Sequence, residues 1–411
     1  MLTGCESIAV SELTDFGLVV LVVSGAFLAS LAAHKLTEFF PVPPPALFLV
    51  AAAVASDIWP GLSKLSTVDV ERIAVLALVV ILFDGGMQVG WPRFRESIVP
   101  IGVLGVVGTF ATAGVMAVFA HTLFGFDWTT AGILGAALAP TDPAVMFSVL
   151  GGREIAGRSG TILKGESGAN DPVGIALMIG MLDFATSDHG TFWTVVKECA
   201  IEMSVGLAVG FAGAALLVPA LRRISLPSEA LYPLGALAGA GVIYGVAAVA
   251  HGSGFLAVFV AGLFVGGSGV PHERQIEQVQ TSLASVAEVV VFVALGLTVD
   301  LGSLDGRLVW LDGILLAALL AFVARPVVVG PLLVPVRLRL GERLFVVWGG
   351  LKGAVPILLA AFAVIAGVDD AQRLYGLVFV IVLCSVVVQG TSLPFVATRL
   401  GVPMRVREPE R

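Results

Sequence analysis

The chain has 411 residues, of which 57% are hydrophobic and 13% are charged, and its formal net charge is −7. A soluble protein carries a charged fraction of about 25%, so this composition excludes a soluble globular enzyme and requires that much of the surface contacts lipid. The sequence contains no run of basic residues that would indicate nucleic-acid binding, and we expect no nucleic-acid partner.

Apolar segments recur along the chain and are separated by short polar or Pro- and Gly-containing breaks. A transmembrane helix needs about 20 predominantly apolar residues, and the pattern predicts an all-α membrane protein with thirteen transmembrane helices. The predicted spans are 16–34, 43–59, 70–90, 98–122, 128–150, 157–184, 193–221, 229–249, 252–270, 280–299, 308–334, 343–366 and 373–398. All connections are short, and we expect only a short tail, 403–411, and no cytoplasmic regulatory domain.

The basic residues test this count of spans. With thirteen spans, fifteen of the 23 Lys and Arg residues fall on one face, five fall on the other, and three lie within spans. Basic residues are enriched on the cytoplasmic side of membrane proteins. The bias therefore predicts a multi-pass protein of the bacterial inner membrane, with its N-terminus outside and its C-terminus in the cytoplasm.

The fifth predicted span carries an acid between two prolines, Pro140-Thr141-Asp142-Pro143. Proline lacks an N–H group, so nearby carbonyls lose their helical donors. A broken helix at membrane depth is tolerated where it is buried or lines a cavity. The Asp142 carboxylate and the Thr141 carbonyl are hard oxygen ligands and predict a site for a monovalent cation; a proline kink with a capping Asp is the structural alternative.

The sixth span contains a polar stripe on an otherwise apolar helix. Glu166 and Asn170 are spaced i,i+4, as are Ser167 and Asp171, so all four lie on one face. Such a stripe predicts a cation site or a proton relay, because a polar stripe that only joins helices does not require two acids.

Two further charges lie within predicted spans. Arg325 is permanently protonated and needs an anionic partner, for which we predict Glu166; Asp171 then stays available to exchange its proton for a cation.

Lys352 lies in a second Gly- and Pro-containing interruption, 349–356. The two interrupted spans are seven apart and so have opposite orientations, which is typical of transporters with inverted repeats. Lys352 is predicted to lie where the broken helices meet and to offset their dipoles.

Three other acids, Asp84, Glu202 and Glu288, have a structural interpretation at least as good as a functional one. Two alternative functions remain: a cation channel, although no repeated filter sequence is present, and an intramembrane aspartyl protease, although its Gly-x-Gly-Asp signature is absent.

At these residues the chain resembles the electroneutral, NhaP-type branch of the monovalent cation:proton antiporters. The resemblance covers residues 16–402, and its most specific segments are 141–143, 165–172, 254–263, Arg325 and 350–356. Segments 82–86 and 391–394 are most similar to the bacterial potassium/proton subgroup.

The resemblance implies an antiporter fold of two inverted repeats with discontinuous crossing helices. A dimerisation domain, 1–95 and 229–300, would hold spans 1–3 and 8–10. A core ion-transport domain, 96–190 and 301–402, would hold spans 4–6 and 11–13. A linker helix, 191–228, would join them, and the core would move within a homodimer surrounded by membrane lipid.

The resemblance also implies roles for the residues of the site. Asp171 would carry the ion and the proton, and the cation, K⁺ or Na⁺, would be coordinated with help from Asp142, Ser167, Glu166 and Thr141. Asn170, Arg325 and Lys352 would be structural or electrostatic partners, although the family commonly has Arg at the last position. The Asn170-Asp171 pair implies one proton per cation, and neither a cofactor nor an enzymatic activity is expected.

Overall fold

The structure is a computed structural model. It describes residues 43–59, 67–142, 145–146, 150, 153–186, 192–299, 301–302 and 307–406. The first predicted span, 16–34, lies outside the described residues, so the total of thirteen spans stays a prediction.

The described part of the chain is helical apart from one two-stranded sheet. Its first eight helices are α1 Pro44–Ile58, α2 Thr67–Val89, α3 Trp91–Glu96, α4 Ile98–Phe124, α5 Trp128–Leu138, α6 Arg158–Thr186, α7 Phe192–Arg223 and α8 Leu231–Val249. The others are α9 Gly254–Val265, α10 Glu273–Leu297, α11 Arg307–Leu319, α12 Arg325–Leu333, α13 Leu340–Trp348, α14 Ala354–Ile365 and α15 Ala371–Arg399. A π-helical segment, Leu320–Ala324, joins α11 to α12 without a break.

Each predicted span from the second onward contains a helix or a pair of helices; α5 covers only the first part of the fifth span, 128–150, of which residues 143–144 and 147–149 lie outside the described residues. The tenth helix, α10, begins at Glu273, seven residues before the predicted start at 280, because its first two turns are polar and lie outside the apolar window. The fifth and twelfth spans are interrupted, as the Pro and Gly residues predict: α5 ends at Leu138, and α13 and α14 are separated by residues 349–353.

Several helices expose apolar side chains that no soluble protein would leave in water. Six helices among the described residues are long and apolar enough to cross a membrane. On two of them Leu216 is 75% exposed and Val249 is 84% exposed. Apolar surface of this extent fits a lipid environment.

The helices pack in two groups with α6 and α7 between them. In one group α2 packs against α9 and α10, and α10 also packs against α1; in the other, α5 packs against α4 and α14, and α14 packs against α15. Helix α7 contacts α9 and α6, and α6 also contacts α2 and α5. The division into a dimerisation domain and a moving core stays a prediction.

Glycines allow the backbones of α2 and α9 to approach closely. A Cβ atom added to Gly262 would overlap the carbonyl oxygen of Phe83, and one added to Gly86 would lie 2.9 Å from the Leu263 nitrogen. Small residues allow such approach between membrane helices, where association depends on van der Waals packing.

A short sheet joins the loop after the fifth span to the end of the described chain. Strand β1, Arg153–Ile155, pairs antiparallel with β2, Met404–Val406, and the Ala156 N–H donates to the Pro403 carbonyl at 2.8 Å. Part of the predicted tail, 403–411, is thus a paired strand.

Helix α5, which leads to the first interruption, has a well-defined start. The Asp127 carboxylate accepts hydrogen bonds from the backbone N–H groups of Thr129 and Thr130, at 2.8 and 3.1 Å. This is the usual capping arrangement of a helix N-terminus. Partial burial raises the pKa of Asp127, but the bonds from Thr130 and Thr129 together lower it more, so the pKa lies below its ordinary value.

We expect Gly262→Ala to lower the stability of the protein, because the methyl group would force α2 and α9 apart. Overpacking of this kind costs about 1–3 kcal/mol. The matched control is Gly241→Ala in α8, where a Cβ would meet no atom within 4 Å. Thermal unfolding in detergent should show a lower Tm for the first variant only; equal Tm values would contradict the close contact.

Candidate ion-binding site

The two interrupted spans meet at their non-helical segments, 139–142 and 349–353. The backbone N–H of Asp142 donates a hydrogen bond to the Leu351 carbonyl at 2.9 Å. Each interruption leaves carbonyls and N–H groups without partners within the helix. Because this crossing is buried, other groups of the protein must supply those partners.

Lys352 supplies donors to the first interruption. Its ammonium Nζ lies 3.0 Å from the carbonyl oxygen of Ala139 and 2.8 Å from that of Pro140. The usual helical donor to the Ala139 carbonyl would be residue 143, a proline without an N–H. Lys352 is 1% exposed, and its ammonium lies at the C-terminal end of α5; that its charge offsets the α5 dipole stays a prediction.

Asp142 lies at the start of the helix that follows the second interruption. A Cβ on Gly353, the residue before α14, would overlap the Asp142 carboxylate. The carboxylate therefore lies against the backbone at the positive end of the α14 dipole. Only glycine leaves room for this contact.

A small hydrogen-bond network attaches the first interruption to α6. The Thr141 N–H donates to Asn170 Oδ1 at 3.3 Å, and Asn170 Nδ2 donates to Thr141 Oγ1 at 2.7 Å. The Thr141 and Ser167 hydroxyl oxygens are 3.0 Å apart and share a hydrogen bond. Asn170 thus uses both ends of its amide to fix Thr141, which makes it a positioning residue for the interruption.

The predicted ion pair between Glu166 and Arg325 is present. Arg325 Nη2 lies 2.9 Å from Glu166 Oε1, and both side chains are buried. The guanidinium also donates to the carbonyls of Val347, at 3.0 Å, and Val346, at 3.2 Å. These carbonyls belong to the last turn of α13, so Arg325 neutralises an acid and caps a helix end at once. A Cβ on Gly350 would overlap the guanidinium.

Asp142 and Asp171 line one cavity of about 30 Å³. Asp171 is 5% exposed and Asp142 9%. Asp171 Oδ1 is buried and has no hydrogen-bond partner within the described part of the chain. The cavity is large enough for a water molecule or a small ion, and carboxylate oxygens are among the ligands that proteins offer to permeating cations.

The structure distributes the other predicted site residues around this cavity. Among the described residues, Glu166, Ser167 and Thr141 are absent from its lining, where they were expected as ligands, while Glu288 of α10 belongs to it. Glu288 Oε1 is buried without a hydrogen-bond partner among the described residues. The sequence indicated only that Glu288 is an acid in an apolar helix. It could not place Glu288 beside Asp171, because that depends on how α10 packs.

We expect Arg325→Ala to destabilise the protein by about 3–5 kcal/mol, the usual cost of leaving a buried charge without its partner. The double variant Glu166→Gln/Arg325→Met should recover most of this loss, because it removes both charges. Arg223→Ala, at an exposed position, is the control and should change stability little. Thermal unfolding in detergent measures all three; no difference between Arg325→Ala and the control would argue against the pairing.

The sequence is similar to known transporters over almost its whole length. It is 36% identical over 391 residues to the K⁺/H⁺ antiporter NhaP of Alkalimonas amylolytica, covering 94% of this chain and 68% of the relative. It is 32% identical to the K⁺/H⁺ antiporter NhaP2 of Shewanella sp. strain MR-4, covering 90% of this chain and 65% of the relative. The chain thus spans about two thirds of the length of these relatives.

The fold is similar to that of a solved structure, the sodium proton antiporter MjNhaP1 from Methanocaldococcus jannaschii at pH 8. The TM-score is 0.77 at 21% sequence identity, and the match covers 94% of this chain and 99% of the other. Residues 21–399 match the family described as "Sodium/hydrogen exchanger, transmembrane". The match includes both helix interruptions and all the residues of the cavity, and the chain belongs to this family of membrane transporters.

Proposed function

We propose that the protein is a secondary active antiporter that exchanges a monovalent cation for protons across the inner membrane. The observation that supports this most is the buried Asp171, whose Oδ1 lacks a partner among the described residues and which shares a small cavity with Asp142. A carboxylate there needs neutralisation, because an isolated charge at membrane depth costs several kcal/mol, about 3 or more. A proton or a cation can supply it.

Competition between these two ions at Asp171 is sufficient for exchange. A cation that binds the carboxylate oxygens disfavours the protonated form, and a proton on Asp171 removes the negative charge that the cation needs. If the site faces one side at a time and crosses the barrier only when neutralised, each cation that moves one way returns a proton.

The arrangement of the other charges supports this mechanism. Arg325 is paired with Glu166, and Lys352 is bound to the carbonyls of Ala139 and Pro140. These groups already have partners, so loading and unloading of Asp171 need not disturb them. In the proposed elevator-type cycle of a homodimer, they would travel with the moving core as a preassembled unit.

The position before Asp171 is the neutral Asn170, which favours an exchange of one proton for one cation without net charge movement. For the identity of the cation, the names of two relatives favour K⁺, and that of the Na⁺/H⁺ antiporter NhaP of Pseudomonas aeruginosa, 26% identical, favours Na⁺. We propose K⁺ as the first cation to test and Na⁺ as the second.

We expect Asp171→Asn to abolish exchange while the protein stays folded. An amide takes up no proton near neutral pH, and it has no negative charge to attract a cation. The assay follows dequenching of a pH-sensitive dye in everted vesicles as K⁺, Na⁺ and Li⁺ are added in turn. Asp183→Asn, an exposed acid near the end of the same helix, is the control and should exchange normally. Wild-type exchange by Asp171→Asn would refute the carrier role.

We also expect exchange by reconstituted protein to produce no steady current at saturating cation, because one positive charge moves each way. Current recorded from proteoliposomes on a solid-supported membrane, in parallel with dye-detected proton movement, tests this. A current that grows in proportion to the proton flux would show that more than one proton moves per cation.

A further inference from the structure

One half-buried lysine, Lys164, lines both the carboxylate cavity and a second, larger cavity. The second cavity has a volume of about 520 Å³, and most of its lining residues are polar; they lie around the α2–α3 and β1–α6 connections and include Arg405 of β2. We name it the vestibule; it lies on the face that the charge bias assigns to the cytoplasm. Among the described residues, Lys164 alone lines both the vestibule and the carboxylate cavity.

Lys164 lies on the same face of α6 as the carboxylate that the exchanged ions would reach. Lys164, Gly168 and Asp171 are spaced i, i+4 and i+7, and all three line the carboxylate cavity. Seven residues of α-helix span about 10 Å. An ion that enters from the vestibule therefore meets the lysine before it reaches Asp171.

Hydrogen bonds link Lys164 to α2 and α10, two helices of the first packing group. Lys164 Nζ donates to Gln88 Oε1 of α2 at 3.3 Å. Gln88 Nε2 in turn donates to Asp84 Oδ2 at 2.6 Å, and the Thr281 hydroxyl of α10 donates to Asp84 Oδ1 at 2.8 Å. Asp84 is 5% exposed. These hydrogen bonds fix the side chain of Gln88, and through it the position of the Lys164 ammonium group.

We propose that Lys164 is a built-in cation that closes the path between the vestibule and the carboxylate cavity, and that a transported cation enters only when the contact with Gln88 opens. The ammonium is a compact positive charge comparable with an alkali cation, so it repels an incoming cation as well as obstructing it. The contact joins α6 to α2, so sliding of α6 along α2 would break it. The inference depends on the proposed function for the nature of the entering ion.

The test measures access to the carboxylate cavity directly. In a protein whose three cysteines, Cys5, Cys199 and Cys384, are replaced by alanine, Gly85→Cys places a thiol in the cavity lining; a Cβ there meets no atom within 4 Å. The probe is 2-aminoethyl methanethiosulfonate, a small cationic reagent added to everted vesicles. A second reporter, Thr161→Cys, lines the vestibule alone.

We expect Lys164→Ala to raise the labelling rate of the Gly85→Cys thiol by about tenfold or more, which corresponds to ~1.4 kcal/mol on the barrier. Lys164→Arg keeps the charge and the length and should keep labelling slow. The Thr161→Cys thiol lies on the vestibule side of the barrier and one turn from position 164, so any change in its labelling rate measures the local effect of the charge alone. The labelling rate of Gly85→Cys should rise well beyond that change.

An unchanged labelling rate of Gly85→Cys in folded Lys164→Ala protein would overturn the proposal. If Lys164→Ala does not fold, Gln88→Leu decides in the same way: it removes the contact that joins Lys164 to α2, leaves the lysine, and should also accelerate labelling. Labelling does not require transport. A failure of exchange by the wild-type protein would therefore contradict the proposed function and leave this result standing.

Discussion

Burial of charge where two helices are interrupted is the constraint on which the rest of this structure depends. The interruptions free backbone carbonyls deep in the protein, and each carbonyl needs a donor. Lys352, from the second interrupted span, donates to carbonyls of the first. Arg325, from the span before the second interruption, donates to carbonyls at the end of α13. Their positive charges in turn require negative ones, which Glu166 supplies directly to Arg325.

This arrangement separates the charges that are paired within the protein from Asp171, the carboxylate at which we propose that ions exchange. Glu166 and Arg325 form a pair that is bound on several sides, and Thr141, Ser167 and Asn170 satisfy one another. Within the described chain, Asp171 Oδ1 and Glu166 Oε2 both lack a hydrogen-bond partner, but the charge of Glu166 is paired with Arg325 through Oε1. A site that must release its ion gains from this, because a carboxylate fully satisfied by protein donors would bind cations weakly.

Much of the site could be predicted from the sequence because it follows from the chemical properties of single residue types. Pro140 and Pro143 cannot continue a hydrogen-bonded helix, and a buried Arg325 must have an acid, so the interruption and the ion pair follow from the residue types. For Lys352 the sequence predicted only that the side chain lies where the broken helices meet. It did not predict that the Ala139 and Pro140 carbonyls accept its hydrogen bonds, because this depends on how α14 packs against α5.

The features that the sequence did not predict depend on tertiary packing. Glu288 and Gln88 are distant in sequence from Asp171 and approach the site only because α10 and α2 pack beside α6. The absence of Glu166 from the cavity lining has the same cause, since its carboxylate turns toward Arg325. Strand β1 was missed because three residues between apolar helices carry no periodic signal.

The pairing of β1 with β2 has a consequence for where the folded unit ends. The last helix stops at Arg399, but Met404–Val406 is hydrogen-bonded to the connection between the interrupted fifth span and α6. A truncation placed directly after the last helix would thus unpair backbone next to the vestibule. The folded membrane unit therefore extends at least to Val406, and a segment attached beyond this residue would begin beside the vestibule.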